Sequence, residues 1–232
     1  MKEWITFCGL LIAVSGSLAA DPGIVFGQGT RMILSLDSKA KALHVKNYSE
    51  KHFLLHAKVI NNDPDRTLNT DFIVTPEVVE LVPQAGKVLT LRRLGGEFAA
   101  DRESLLYLVG KFIPNISSEG GNRLELAYSI TMKLFLRPPG LMTDDAVDAS
   151  REKVEFSYQN NLLTIRNPTP YHLVFNNLEI DGRTVVLHPG IEMLKPMGSL
   201  RLPLSKKPQK VTWSFINDSG YETPHTERLL QN

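Results

Sequence analysis

Apolar and polar residues alternate in short runs along most of this chain, and one run is unusually long. From Leu124 to Leu134 every even position is apolar, whereas the odd positions are polar or alanine. A period of two places the apolar side chains on one face of a β-strand. We therefore predict a strand over Leu124–Leu136, about twice as long as an average strand. At a sheet edge its apolar face would be either an aggregation hazard or a surface for a partner strand.

Other β-type runs recur between turn residues, and segments with helical periodicity are scarce. Such spacing indicates an all-β sandwich, and the number of runs is about enough for two sandwiches. The runs are Ile24–Phe26, Arg31–Leu36, Ala42–Val45, His52–Ile60, Phe72–Thr75, Lys87–Leu91, Leu105–Ile113, Val154–Tyr158, Leu162–Ile165, His172–Ile180, Thr184–Leu187, Ser199–Leu204 and Val211–Ile216.

Residues 1–19 are predicted to be an export signal that is not part of the fold. Lys2 is followed by the apolar run Trp4–Val14 and then by small residues as far as Ala20. This order is typical of a secretory signal, with cleavage expected after Ala19. The apolar run is too short to span a bilayer comfortably, so we expect an exported, soluble product.

A boundary between two domains is visible at Pro138-Pro139-Gly140. Proline has no N–H to donate to a β-ladder, so these residues end the longest strand. The stretch that follows has little β pattern. We therefore predict a domain at 20–137, a linker at 138–152 and a second domain at 153–232.

Composition and charge are those of an ordinary globular protein. Of 232 residues, 42% are hydrophobic and 22% are charged, and 26 Lys+Arg against 25 Asp+Glu give a net charge of +1. This balance offers no electrostatic reason to expect a nucleic-acid partner. The single cysteine, Cys8, lies in the predicted signal. The mature chain would therefore contain neither a disulfide nor a cysteine-based metal site.

Recognised catalytic motifs are missing from the sequence. It has no Gly-x-Ser-x-Gly, His-Glu-x-x-His or Walker motif. His52 and His56 would lie about 13 Å apart along a strand, too far to share one metal ion. Asn47-Tyr48-Ser49 matches the glycosylation pattern, which is common by chance. We predict no catalytic residue, no metal and no cofactor.

Seven short segments share their order and spacing with a known family. They are Gly29-Thr30-Arg31-Met32-Ile33, Phe72-Ile73-Val74-Thr75-Pro76, Leu81-Val82-Pro83, Asp101-Arg102-Glu103-Ser104-Leu105-Leu106-Tyr107, Met132-Lys133-Leu134-Phe135-Leu136-Arg137-Pro138, Asn167-Pro168-Thr169-Pro170-Tyr171 and Ile216-Asn217-Asp218-Ser219-Gly220. With them, the chain resembles the periplasmic pilus (fimbrial) assembly chaperones of the bacterial chaperone–usher pathway. The resemblance extends over nearly all of the predicted mature chain.

The resemblance implies an all-β protein of two immunoglobulin-like β-sandwich domains in a boomerang arrangement. It also implies that the long strand is lent to a pilus subunit whose own sandwich lacks a strand. The subunit would then be delivered to an outer-membrane usher. Leu124, Leu126 and Tyr128 stand where the family places the side chains that fill the subunit's pockets. Tyr128 departs from the aliphatic residue that is usual there.

Arg31 and Lys133 match the family's two basic residues that anchor the subunit's C-terminal carboxylate. Two cations on one carboxylate would form charge-assisted hydrogen bonds and fix the register of the added strand. Lys133 occupies an odd position, on the face opposite to Leu124, Leu126 and Tyr128. An anchoring role therefore requires that Lys133 uses this other face or that a β-bulge intervenes.

Glu103, Arg137 and Asp218 match a buried charged set that joins the two domains in the family. The planar guanidinium of Arg137 has enough donors to bond both carboxylates. The nine residues between Pro114 and Leu124 resemble the short-loop subgroup of the family, which serves rod-like adhesive pili.

The favoured interpretation is a periplasmic chaperone that binds pilus subunits, works without ATP and is not an enzyme. The exposed edge strand also leaves open self-association of the unloaded chain. Three alternatives stay open: an exported immunoglobulin-like adhesin or structural pilus component, an exported hydrolase on a β scaffold, and a family member that has lost its client.

Overall fold

A computed structural model of the chain describes residues 23–27, 29–115 and 126–230. The strands described before residue 138 are β1 (Ile24–Phe26), β2 (Arg31–Ser35), β3 (Ala40–Asn47), β4 (Phe53–Asn61), β5 (Phe72–Thr75), β6 (Val78–Leu81), β7 (Gly86–Arg93), β8 (Ser104–Pro114) and β9 (Tyr128–Arg137). Those after it are β10 (Glu155–Gln159), β11 (Leu162–Arg166), β12 (Leu173–Ile180), β13 (Arg183–Thr184), β14 (Met193–Leu194), β15 (Ser199–Pro203), β16 (Lys210–Phe215) and β17 (Thr226–Leu229).

The strands form two sandwiches, which confirms the all-β prediction of two immunoglobulin-like domains. In the N-terminal domain, a sheet of order β1-β3-β7-β5 packs on a sheet of order β2-β9-β8-β4-β6. In the C-terminal domain, β10-β11-β15 packs on β13-β12-β16-β17, and β14 pairs with β12.

Alternating burial along the strands builds the two cores. In the first, Leu43 and Leu89 from one sheet meet Leu55 and Leu134 from the other, and all four side chains are fully buried. In the second, Trp213 is fully buried at the centre. These side chains lie on one face of each strand because consecutive residues of a strand point to opposite faces.

The long strand begins later than the sequence predicts. Strand β9 starts at Tyr128, and Leu126 and Ala127 lie before it. Tyr128 pairs with Phe112 on β8, and continuing this register would place Pro114 opposite Leu126. Proline has no N–H to donate, so β8 offers the ladder no backbone donor at this position.

In each domain, a buried asparagine of an Asn-x-Ser/Thr sequence stabilises a turn through its side-chain hydrogen bonds. The Asn47 side-chain oxygen accepts hydrogen bonds from Ser49, and its Nδ2 donates to the carbonyl of Lys51 at 2.7 Å. Asn167 makes the equivalent bonds to Thr169 and to the Tyr171 carbonyl. Asn47 is completely buried, so its match to the glycosylation pattern reflects a structural turn.

The stretch predicted as a linker, 138–152, contains short helical segments. They are the 3₁₀ turns Pro139–Leu141 and Arg151–Lys153 and the helix α1 (Ala146–Ser150). Val147 packs in the second core, and the Trp213 indole donates to the Arg151 carbonyl at 3.1 Å. The later part of this stretch is therefore packed against the C-terminal domain.

Candidate functional site

The even face of β9 changes from core to solvent towards the start of the strand. Met132 and Leu134 are at most 1% exposed, whereas Tyr128 is 38% and Leu126 is 68% exposed. The apolar face therefore continues beyond the domain's own core. Leu124, the third side chain expected to enter a partner, lies outside the described residues.

Tyr128 is supported by the rim of its own domain. Its ring stacks on Phe112 at a centroid distance of 5.2 Å and meets Phe53 edge-on at 5.9 Å. Such contacts favour a fixed ring orientation. Of the two predicted pocket fillers within the described residues, Leu126 is therefore the one that projects further into solvent.

Lys133 lies on the opposite face of β9, and no bulge is needed to place it there. The register with β8 continues without a shift from the Phe112–Tyr128 pair to the Ser104–Leu136 pair. On this odd face Phe135 packs with Val174 of the C-terminal domain. The odd face of β9 therefore points towards the junction between the domains.

Arg31 and Lys133 are direct neighbours across the parallel pair of β2 and β9. Lys133 Nζ lies 3.4 Å from Glu192 Oε1 of the C-terminal domain. Arg31 Nη1 donates to the Ile216 carbonyl at 2.7 Å, and its Nε has no hydrogen-bond partner among the described residues. The structure therefore brings the two predicted anchor residues together, with donor capacity left on Arg31.

Arg31 is 5% exposed, which has an electrostatic consequence. Burial lowers the pKa of its guanidinium, and the nearby charges of Asp218 and Glu103 oppose this effect. A guanidinium stays protonated at any physiological pH, so the site keeps its positive charge. A ligand carboxylate that reached Arg31 would recover part of the electrostatic energy lost by burial.

Among the described residues, no strand pairs with the edge of β9 that precedes this pair, and we call it the open edge of β9. Within the described residues, β2 pairs with β9 only from Lys133 to Arg137, whereas β8 pairs with it from Tyr128 onwards. In the part of the chain that the structure describes, residues 129–132 therefore pair with β8 only. Their other edge lies in line with β2, on the N-terminal side of Arg31. That edge ends where β2 begins, at Arg31.

The three residues predicted as an interdomain charged set form one buried cluster. Arg137 Nε donates to Glu103 at 2.8 Å, and its Nη1 and Nη2 donate to the two oxygens of Asp218 at 2.6 and 2.9 Å. Arg137 is 1% and Glu103 is 4% exposed. Although burial opposes it, bonding to Asp218 and Glu103 raises the pKa of Arg137.

The cluster has further members that the sequence reasoning missed. Glu103 Oε2 accepts the backbone N–H of His172 at 2.7 Å, and His172 Nδ1 lies 3.2 Å from the same oxygen. The Tyr171 ring lies 5.0 Å from the Arg137 guanidinium carbon. The Asn-Pro-Thr-Pro-Tyr segment directly before His172 marks this part of the chain as a family motif. No sequence pattern links His172 to Glu103, which lies 69 residues away.

Glu192 is another residue that the sequence analysis missed. It has no motif around it, and it reaches Lys133 only because β14 brings the second domain to the junction. No local pattern could have identified this contact, since the two residues belong to different domains.

Neither a metal-binding cluster nor a membrane-spanning helix occurs in the described part of the chain. It contains no group of three or more His, Cys, Asp or Glu side chains arranged to hold a metal ion. His52 and His56 each pair with a separate glutamate, Glu80 and Glu77. Among these same residues, no helix is long and apolar enough to cross a membrane.

Comparisons with known proteins cover almost the whole chain. Residues 24–142 match the family described as pili and flagellar-assembly chaperone, PapD N-terminal domain, and residues 149–227 match pili assembly chaperone PapD, C-terminal domain. The chain is 34% identical to the chaperone protein FimC of Escherichia coli strain K12, over 99% of this chain and 96% of that protein.

A second relative and a solved structure are similar to the chain over most of its length. A probable fimbrial chaperone protein, ElfD of Escherichia coli O157:H7, is 31% identical over 95% of this chain and 93% of that protein. The crystal structure of the E. coli chaperone DraB superposes with a TM-score of 0.77 and 31% identity, covering 90% of this chain and 98% of that one.

Proposed function

The chain belongs to the family of pili assembly chaperones, and we propose that it holds an incomplete pilus subunit on the open edge of β9. The subunit's C-terminal carboxylate would be bound by Arg31 and Lys133. The subunit would then be delivered to an outer-membrane usher. Pilus subunits are the partners expected from the relatives, which are fimbrial chaperones.

The observation that carries this proposal is the parallel pairing of β2 with β9. A strand added along 129–132 in the same direction as β2 would lie in line with β2 and end at Arg31. Its terminal carboxylate would thus reach the two cations that neighbour each other at that point. The carboxylate would fix the register, and a slip of one residue would turn every side chain to the wrong face.

Apolar burial would supply much of the affinity. Leu126 projects from the edge of the domain, and burying such a side chain contributes about 1.5 to 3 kcal/mol. We propose that Leu124, Leu126 and Tyr128 fill successive pockets of the subunit groove. Because Tyr128 is held by Phe112, its pocket would have to accept a ring of fixed orientation.

The test is periplasmic co-expression with each subunit encoded in the same gene cluster, followed by pull-down. Lys133→Met should lose the subunit, whereas the wild type retains it. Lys58→Met is the matched control, because Lys58 is an exposed lysine of β4, two strands away from the open edge. Equal retention by both variants would show that Lys133 is not an anchor.

We also propose a periplasmic location, with residues 1–19 as the cleaved signal. The relatives are fimbrial chaperones, a class that is periplasmic in general. Residues 1–19 lie outside the described residues. The mass of the purified periplasmic protein should correspond to a chain that begins at Ala20. The division into domains at 20–137 and 153–232 with a linker at 138–152 is part of the same proposal.

Family membership argues against two of the alternative functions. The adhesin or structural pilus component is not favoured, since the chain belongs to a family of chaperones. That family membership also gives no support to a hydrolase. Self-association through the open edge of β9 is a further proposal for the unloaded chain, and sedimentation with and without a bound subunit would test it.

A further inference from the structure

Lys133 is already engaged with a carboxylate inside the chain. Its Nζ lies 3.4 Å from Glu192 Oε1, and the two side chains are 22% and 35% exposed. The pair is thus partly shielded from water, and it joins the N-terminal domain to the C-terminal domain. Partial burial makes such a contact stronger than a fully exposed ion pair.

The backbone of Glu192 is bonded within the C-terminal domain. Its carbonyl accepts from the Phe175 N–H at 2.9 Å, and its N–H donates to the His188 carbonyl at 3.1 Å. The next residue, Met193, packs on the apolar cluster formed by Phe135 and Val174 at the junction. These contacts hold the Glu192 backbone at the junction between the domains, and its side chain reaches Lys133 from there.

The charge of Glu192 also affects a neighbour of Lys133. Tyr107 lies opposite Lys133 in the β8–β9 pairing. Burial, and then the negative charge of Glu192, raise the pKa of Tyr107, while Arg66 acts in the opposite direction. Lys133 and Tyr107 therefore both lie close to the Glu192 carboxylate.

We propose that Glu192 is a resident carboxylate that competes with the subunit's terminal carboxylate for Lys133 and so determines the specificity of the anchor. This inference rests on the proposed function. A second carboxylate at Lys133 would lie close to Glu192, and like charges at short distance repel each other. The incoming carboxylate must displace Glu192 or tolerate this repulsion.

The consequence is a threshold for binding. A chain end that offers only a carboxylate gains little, because it replaces one ion pair by another. A chain end that also pairs along 129–132 and buries side chains against Leu126 gains enough to displace Glu192. Glu192 thus selects for complete subunit strands against unrelated C-termini.

The test uses a synthetic 15-residue peptide with the C-terminal strand of a subunit from the same gene cluster, made with a free carboxylate and as the amide. At low salt, Glu192→Gln should bind the carboxylate form about three- to fivefold more tightly than the wild type. Binding of the amide form should not change. In a Lys133→Met background, Glu192→Gln should have no effect on either peptide.

Glu227→Gln is the matched control. Glu227 pairs with Lys210 at the same distance of 3.4 Å, in the C-terminal domain and away from the junction. This variant should bind both peptides as the wild type does. Weaker binding by Glu192→Gln would overturn the proposal and indicate that Glu192 positions Lys133. An equal change for carboxylate and amide would also overturn it.

A second readout separates this inference from the proposed function. NMR of the ¹³C-dimethylated Lys133 amine in the unloaded protein should show a shifted signal in Glu192→Gln but not in Glu227→Gln. An unchanged signal would overturn the inference whatever the peptide does. If the wild type and Lys133→Met bind the carboxylate peptide equally, the proposed anchor is overturned instead.

Discussion

Lys133 and Arg137 are two cations on the same face of one strand, and their environments are opposite. They are four residues apart on β9, which corresponds to about 13 Å. Arg137 is 1% exposed and bonds two carboxylates through all three of its guanidinium nitrogens. Lys133 is partly exposed and has one longer ion pair, to Glu192.

The residue between them explains how the two environments are separated. Phe135 is 3% exposed and packs against Val174 and the ring of His172. This apolar contact separates the closed cluster at Arg137 from the more open site at Lys133. A buried cation with all its bonds satisfied fixes a structure, whereas a partly exposed cation with one longer ion pair has donors left for a ligand.

Removing Arg137, the fully bonded cation, should have the largest effect of the changes considered, and it should act on stability. Arg137→Met would leave Glu103 and the partly buried Asp218 without their shared partner, at a cost of about 3 to 5 kcal/mol in the free energy of unfolding. Urea denaturation, followed by the fluorescence of Trp213, measures the change. Arg166→Met is the control, because Arg166 forms an exposed pair with Glu155. Equal losses of stability in both variants would show that the buried ion pairs of Arg137 contribute no more than an exposed pair.

A change at Leu126, just before β9, should affect binding but not stability. Leu126→Asp places a charge where an apolar side chain is expected to enter the subunit, and it should weaken binding about ten- to hundredfold. Val186→Asp, at a similarly exposed position of the C-terminal domain, should have no effect on binding. Titration of the purified protein with a subunit peptide gives both values. Wild-type affinity in Leu126→Asp would remove this residue from the binding surface.

The smallest expected effect is that of Lys133 on stability. Lys133→Met should change the free energy of unfolding by less than about 1 kcal/mol, since the ion pair with Glu192 is partly solvated. The same urea experiment measures it. A loss comparable to that of Arg137→Met would mean that Lys133 is a structural residue of the junction.

Much of the fold could be predicted because its signals are local. Alternation along 124–134 predicts a strand, and Pro138 and Pro139 mark its end. The alternation predicts an earlier start for β9 than the structure has, because it continues past the point where β8 reaches Pro114. The length of a strand depends on its neighbour, and a pattern within one strand does not contain that information.

The candidate site could be predicted in part, and only through resemblance to a family. The family segments point to five site residues: Arg31, Lys133, Glu103, Arg137 and Asp218. The structure places Arg31 beside Lys133, and it joins Arg137 to Glu103 and Asp218. Glu192 and His172 were not named, because neither is marked by spacing or by a motif that links it to its partner.

Local sequence patterns are sufficient to predict the all-β class, the two sandwiches and the face of β9 on which each side chain lies. These properties follow from a two-residue period and from prolines, which act within a few residues. The contact of Lys133 with Glu192 and the bonding of Arg137 to Asp218 come only from the packing of the two domains. Arg137 meets Asp218 across 81 positions of sequence, and Arg31 meets the Ile216 carbonyl across 185. Contacts over such separations exist only after the domains pack, because burial and the choice of partner are properties of the assembled junction.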